Sequence, residues 1–249
     1  MTKLLAPLCV IALLLGGWQL YCEAAHVSPL DLPTPAEVAT ALWQDRTALW
    51  SGLGPTALEI VLGILCAAAI AFPLAAAIHF SLLVRRGIYP LAVASQTIPL
   101  VLMAPLLVMW LGFGLLPKLI MIGVTCFFPI LVTTLAGLES VDTELLKLLR
   151  SYGASRSQIF RLVELPAALP GLITGLKVAA VFAVIATILA DMAGTSSGLG
   201  LLFNTALANS ELAEAFATVV VLSAFAILIF ALLSLAERLL LPWSKTPSR

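Results

Sequence analysis

Charge is what this chain has least of: 13 Lys and Arg and 13 Asp and Glu make up 10% of its 249 residues. That is too little for the surface of a soluble globular domain, and it leaves no basic patch for a nucleic acid. Histidine is nearly absent, with His26 and His79 far apart in sequence. No Ser/His/Asp set and no carboxylate pair accompanies them, so no catalytic residue is nominated and the chain is not expected to be an enzyme. Cys9, Cys22, Cys66 and Cys126 are its four cysteines. They follow neither a CxxC nor a Cys/His pattern, which gives no reason to expect a metal site or a disulfide framework.

Apolar residues are abundant. They make up 61% of the chain, and the mean hydropathy is +1.11. A membrane span requires roughly 20 predominantly apolar residues. Six runs qualify, at about 4–21, 57–80, 90–111, 117–137, 171–190 and 215–241. They predict an all-α polytopic membrane protein, with residues 1–249 forming one domain. Cytoplasmic loops are enriched in Lys and Arg. With the N-terminus inside, Lys3, Arg85, Arg86, Lys147, Arg150, Arg156, Arg161, Arg238, Lys245 and Arg249 fall inside, against only Arg46 and Lys118 outside. Both termini and segment 140–170 are therefore expected to be cytoplasmic. The first run lacks a small-residue cleavage site, because Trp18, Gln19, Leu20 and Tyr21 stand at its end. It reads as a retained helix and not as a signal peptide.

Several features within and between the spans are informative. Asp31–Trp50 has the pattern of an amphipathic segment on the outer side, started near Thr34 or Pro35. Trp18, Trp43, Trp50, Trp110 and Trp243 fall near span ends, where indole rings anchor at the lipid interface. Pro73, Pro99, Pro105 and Pro129 lie inside spans and bend their helices. They supply either simple curvature or, in the third span with Gln96, Thr97, Pro99 and Pro105, the lining of a pathway. Glu59 is a carboxylate placed in the hydrocarbon of the second span, either hydrogen-bonded to a neighbouring helix or belonging to that pathway. Lys177 can snorkel to the cytoplasmic interface. Gly171 and Gly175 have the small-xxx-small spacing of close helix packing. Asp191–Gly200, with three glycines and three hydroxyl residues, is a turn-rich outer loop and lacks the lysine of a phosphate-binding loop.

Ser140–Gly171 is a polar, cationic interruption in this apolar chain. Asp142 can cap a first short helix, and Gly153 suits the left-handed residue that ends it. Ser155 with Gln158 forms a capping-box pattern for a second helix. Ile159, Phe160 and Val163 then give an apolar face flanked by Arg156 and Arg161, while Pro166 and Pro170 stop the helix and turn the chain back. Such a helix either docks into a partner's groove or lies on the inner leaflet.

Gly153, nine residues, Val163, any residue, Leu165 and Pro166 follow the pattern G-x9-I-x-L-P, with Val in place of Ile. This resembles the signature loop of permease subunits of bacterial ATP-binding-cassette (ABC) importers. GASRSQIFRLVELPAALPGLITGLK, ASQTIPLVLMAPLLVMWLGFG, FFPILVTTLAGLESVD and GTSSGLG are similar to the nitrate/sulfonate/taurine branch, in one order over nearly the whole chain. One departure stands out: Lys147, Leu148 and Leu149 occupy the place of the family's Glu-Ala-Ala, and Glu144 lies a turn earlier.

The resemblance implies a type I importer permease in the bacterial cytoplasmic (inner) membrane. Tyr152, Gly153, Ala154, Ser155, Arg156, Gln158, Ile159, Phe160, Val163, Leu165 and Pro166 would couple it to a separate cytoplasmic ATPase. The chain itself would bind no cofactor, and ATP would be used by that partner. A periplasmic binding protein, the lipid bilayer and a second copy of the chain are the other implied partners. TALEIVLG and SVDTELLKLLRSYGAS resemble permeases for a thiamine-precursor pyrimidine or related heterocycle; sulfonate, taurine and nitrate permeases share most of the same motifs. A secondary transporter driven by an ion gradient is the alternative class, but it would require mid-membrane ion sites and inverted repeats.

Overall fold

Among the described residues, 2–194 and 197–244, every regular element of the computed structural model is helical. The order is α1 (Thr2–Ala24), α2 (Pro35–Gln44), α3 (Arg46–Phe80), α4 (Leu82–Ser95), α5 (Leu100–Leu111), α6 (Leu115–Glu139), α7 (Thr143–Ser151), α8 (Arg156–Ile159), α9 (Leu165–Met192), α10 (Leu199–Ala208) and α11 (Leu212–Leu240). Lys245 and Arg249 of the charge bias, and Thr195 and Ser196 of the glycine-rich loop, lie outside the described residues.

Among the described residues, four helical stretches are long and apolar enough to cross a membrane: Arg46–Phe80, Leu115–Glu139, Arg156–Met192 and Leu212–Leu240. The expected third span, 90–111, is not continuous. α4 and α5 meet at a 96° bend and make a fifth crossing only when taken together. Pro99 explains the break, because it has no N–H to donate and biases Ile98 towards extended backbone; it stands as the N-cap of α5, without a side-chain cap. The first expected span falls in α1, a helix of 23 residues.

The chain divides into two compact units, the larger comprising Ala57–Gly194 and Phe225–Arg249. Its core is built on α6 and α9, with Ile122, Cys126, Ile130, Ala179, Ala180, Ala183 and Ala186 all buried. Small residues bring the two helices together. A Cβ on Gly137 would lie 2.9 Å from Ala168 Cα, and one on Gly175 would lie 2.8 Å from Ile130 Cα. Gly171 faces the carbonyl of Thr133 in the same way. The Gly171/Gly175 spacing is thus a close backbone approach. Gly175→Val is expected to destabilise the protein by about 1–3 kcal/mol through overpacking. The thermal midpoint of the detergent-solubilised protein checks this, and an unchanged midpoint would rule out so close a contact.

The other unit contains Met1–Thr56 and Thr195–Ala224. Thr34 caps α2 in a full capping box with Glu37, so the amphipathic segment forms as expected. Gln19 of α1 accepts a hydrogen bond from Ala36 N at 3.2 Å, and Trp18 stacks obliquely on Phe216, 5.8 Å between centroids. Gly198 has φ +98°, and the next residue, Leu199, donates its N–H to the fully buried Thr56 Oγ1 at 2.8 Å.

Candidate functional site

The loop between α6 and α9 is built from local sequence signals. Asp142 caps α7, accepting from Glu144 N at 2.8 Å, and Gly153 ends that segment at φ +83°. Ser155 and Gln158 form a complete capping box at α8: Ser155 Oγ accepts from Gln158 N at 3.3 Å, and Ser155 N donates to Gln158 Oε1 at 2.8 Å. Pro166 does not stop this helix. α8 passes through a π-turn at Phe160–Glu164 into α9, and Pro166 follows directly on that turn, whose wider backbone spacing accommodates a residue with no N–H to donate. The helix from Arg156 to Met192 is therefore continuous, 37 residues long, and begins well before the expected residue 171.

Its attachment corrects the sequence reading of the apolar face. Ile159 is buried, and Phe160 packs edge-on against Phe80 at the end of α3, 4.8 Å between centroids. Arg156 stacks its guanidinium 4.8 Å over the same Phe80 ring and donates to Phe80 O at 2.9 Å. Beside them, His79 Nε2 lies 3.2 Å from Glu164 Oε1, and both side chains are largely buried. Phe160 thus packs the loop against α3 and Ile159 is buried, so neither forms the outer face, and Val163 is half-buried. The outward side chains are Tyr152 and Leu162, 82% and 74% exposed, with Arg161, Ser157 and Gln158. Gly153 and Ser155 are also exposed, while Ala154, Leu165 and Pro166 are half-buried. His79, Phe80 and Glu164 were missed by the sequence reading. Glu164 occupied the free position of the V-x-L-P pattern, and a carboxylate within an apolar run was the signal available.

The ionic residues inside the spans are paired. Glu59 is buried, whereas Gln96, Thr97, Pro99 and Pro105 are exposed along the bent α4–α5 pair. Lys118 of α6 holds Glu59 of α3 at 2.8 Å and Asp191 of α9 at 2.6 Å. All three are buried, with Asp191 at 0% exposure. Lys118 and Asp191, expected in outer loops, lie in the first turn of α6 and the last turn of α9, where the helix dipole disfavours each charge. Their mutual pairing offsets that penalty. Lys177 does not snorkel: it pairs with Glu237 of α11 and lies 5.6 Å from the Phe230 ring centroid. Arg85 and Glu139 pair at 2.6 Å where α4 begins and α6 ends. Glu144, the acid nearest the missing family glutamate, is engaged with Lys147 at 2.8 Å on the surface.

A cavity of about 540 Å³ opens between α3, α4 and α6. Cys66, Ile70, Leu91, Ser95, Ile120 and Phe127 are among its lining residues, and no charged residue lines it.

Residues 59–245 match the family described as binding-protein-dependent transport system inner membrane component. The chain belongs to that family. The permease is 31% identical over 242 residues to the formylaminopyrimidine transport permease protein ThiX of Halalkalibacterium halodurans, covering 97% of this chain and 96% of the relative. It is 32% identical over 242 residues to the riboflavin transport system permease protein RibX of Chloroflexus aurantiacus, covering 94% and 88%. It is 31% identical over 247 residues to the taurine transport system permease protein TauC of Escherichia coli, covering 94% and 87%. In fold it is similar to a chain of the inward-facing MetNI methionine ABC transporter, with TM-score 0.59 and 19% identity over 82% of this chain and 98% of that one. The permease is an inner-membrane subunit of an ABC importer in the sulfonate/taurine branch, a transport component and not an enzyme. It works with a substrate-binding protein.

Proposed function

We propose that loop 140–170 is the cytoplasmic docking element for the ATPase and that both chain termini lie on the same side. The observation that carries this reading is the attachment of the loop. Arg156, Phe160 and Glu164 are tied to Phe80 and His79 of α3, while Tyr152, Arg161 and Leu162 stand free for a partner. An element held this way transmits a push on its outer face into two spans, α3 and α9. Closure of two ATPases on ATP would then shift paired permeases between two packings of the same helices. ATP is bound by the partner, and this chain holds no cofactor of its own. Two copies of the permease form one pathway.

The docking test follows from the exposed face. Tyr152→Ala with Leu162→Asp is expected to lower co-purification of the ATPase by at least about tenfold, as loss of an interface anchor does. The thermal midpoint should hardly move, since both side chains face solvent. Unchanged co-purification in the double variant would sink the reading. Phe160→Asp does not test docking, because it places a charge against Phe80.

For the cargo, we infer an uncharged or weakly charged heterocycle related to formylaminopyrimidine. The cavity beside α4 supports this: its lining has no cation, and a sulfonate or nitrate needs charge-assisted donors. Relatives named for formylaminopyrimidine and for riboflavin align with this chain over nearly its whole length. Aliphatic sulfonates and taurine are the second reading, favoured by the taurine relative. Uptake into vesicles holding the complete importer, with formylaminopyrimidine and taurine compared, decides between them. Uptake of taurine alone would overturn the heterocycle.

A further inference from the structure

We propose that the α2–α3 elbow is a binding site for one glycerophospholipid, with Arg46 holding the phosphate. Asp45 alone separates the two helices, as the C-cap of α2, and Arg46 opens α3. The guanidinium lies 4.9 Å over the Trp43 ring, and Nη1 donates to Trp43 O at 2.7 Å. These contacts use one of five N–H donors and fix the plane of the group, so the remaining donors are presented ready for an anion.

Beside the guanidinium is a cavity of about 200 Å³ lined by Leu42, Arg46, Leu49, Trp50, Leu53 and Val221. Arg46 is its single charged residue, and the other walls are apolar. The adjacent carboxylates are turned elsewhere: Asp45 lines a separate cavity with Glu214. Trp43 and Trp50 flank the groove with 72% and 73% of their surface exposed. Indole rings left open in this way on a membrane protein belong at headgroup depth.

A site with one cation at its mouth and an apolar trough behind selects an amphiphile bearing a single negative head. In a bilayer that is a phospholipid, its phosphate on Arg46 and an acyl chain along Leu42, Leu49, Leu53 and Val221. A free anion would leave the trough unfilled, and a fatty hydrocarbon would leave the guanidinium unpaired.

The test uses full-length permease purified in detergent and titrated with phosphatidylglycerol, with bound lipid counted by native mass spectrometry. Wild type is expected to retain one lipid per chain more tightly than the rest. Arg46→Gln should weaken that retention roughly tenfold, the loss of a charge-assisted contact, and Arg46→Lys should restore part of it. Val221→Trp, which fills the trough and keeps the cation, should also abolish retention. Arg46 is exposed, so its variants are expected to fold even where Val221→Trp does not. Equal retention by wild type and Arg46→Gln would overturn the site. So would displacement of the lipid by inorganic phosphate, which would reduce the trough to irrelevance. Normal lipid retention with lost response to the binding protein in Arg46→Gln would also overturn it, and would mark the elbow as a protein contact.

Discussion

Lys118→Met is expected to destabilise the permease by about 3–5 kcal/mol, because it strands Glu59 and Asp191 as two buried carboxylates with no cation between them. The loss appears as a lower thermal midpoint and poor yield from the membrane. The control separates charge from packing. Glu59→Gln and Asp191→Asn added to Lys118→Met leave no ion to compensate and should recover most of the lost stability, since a neutral core of similar volume is often as stable as the ion cluster it replaces. If the triple variant is as unstable as the single one, the helices depend on the lysine for shape and not for charge. Glu59→Gln alone should be milder, because Asp191 still pairs with Lys118.

The second large effect is on transport. Phe80→Ala removes the ring between Arg156 and Phe160, an edge-on aromatic pair and a cation–π contact together. The two are worth about 2 kcal/mol on ordinary magnitudes, or roughly a thirtyfold shift in a two-state equilibrium. On the proposed coupling, the ATPase should still co-purify, because Tyr152 and Leu162 are untouched. Substrate uptake per ATP hydrolysed should fall instead. Phe80→Leu retains apolar bulk without the ring and should be intermediate. Uptake at the wild-type ratio in Phe80→Ala would show that the push does not travel through this joint.

These two residues mark where sequence reasoning stopped. Helix starts and stops in the loop were legible because they are local: Asp142, Gly153, Ser155 and Gln158 act within four residues of themselves. The facing of residues 159–163 was not legible. An apolar stripe of Ile159, Phe160 and Val163 flanked by arginines reads equally as a surface that meets a partner or one that meets its own protein. Phe80, many residues away, decided for the latter in the case of Phe160. Pro166 misled for a related reason, since a proline that ends one helix and one that begins the next have the same local pattern, and the π-turn before it joins the two.

The charged residues behaved similarly. Glu59, Lys118 and Asp191 were each assigned by position relative to an apolar run, which says how far a residue lies from a span end but not what it meets. Pairing across three helices is a property of their packing, and that packing depends on glycines at 137, 171 and 175 allowing α6 and α9 to approach.

That this is a helical membrane protein is legible in the linear pattern, because runs of about 20 apolar residues have few other stable fates. The family resemblance is legible there too, in the G-x9-V-x-L-P pattern and its neighbours. Packing in three dimensions breaks the third span and gathers the buried ions into a triad. It alone anchors the loop to α3 through Phe80. The reason is physical: burial and pairing are set by which distant residue arrives opposite, and a linear pattern carries no record of that partner.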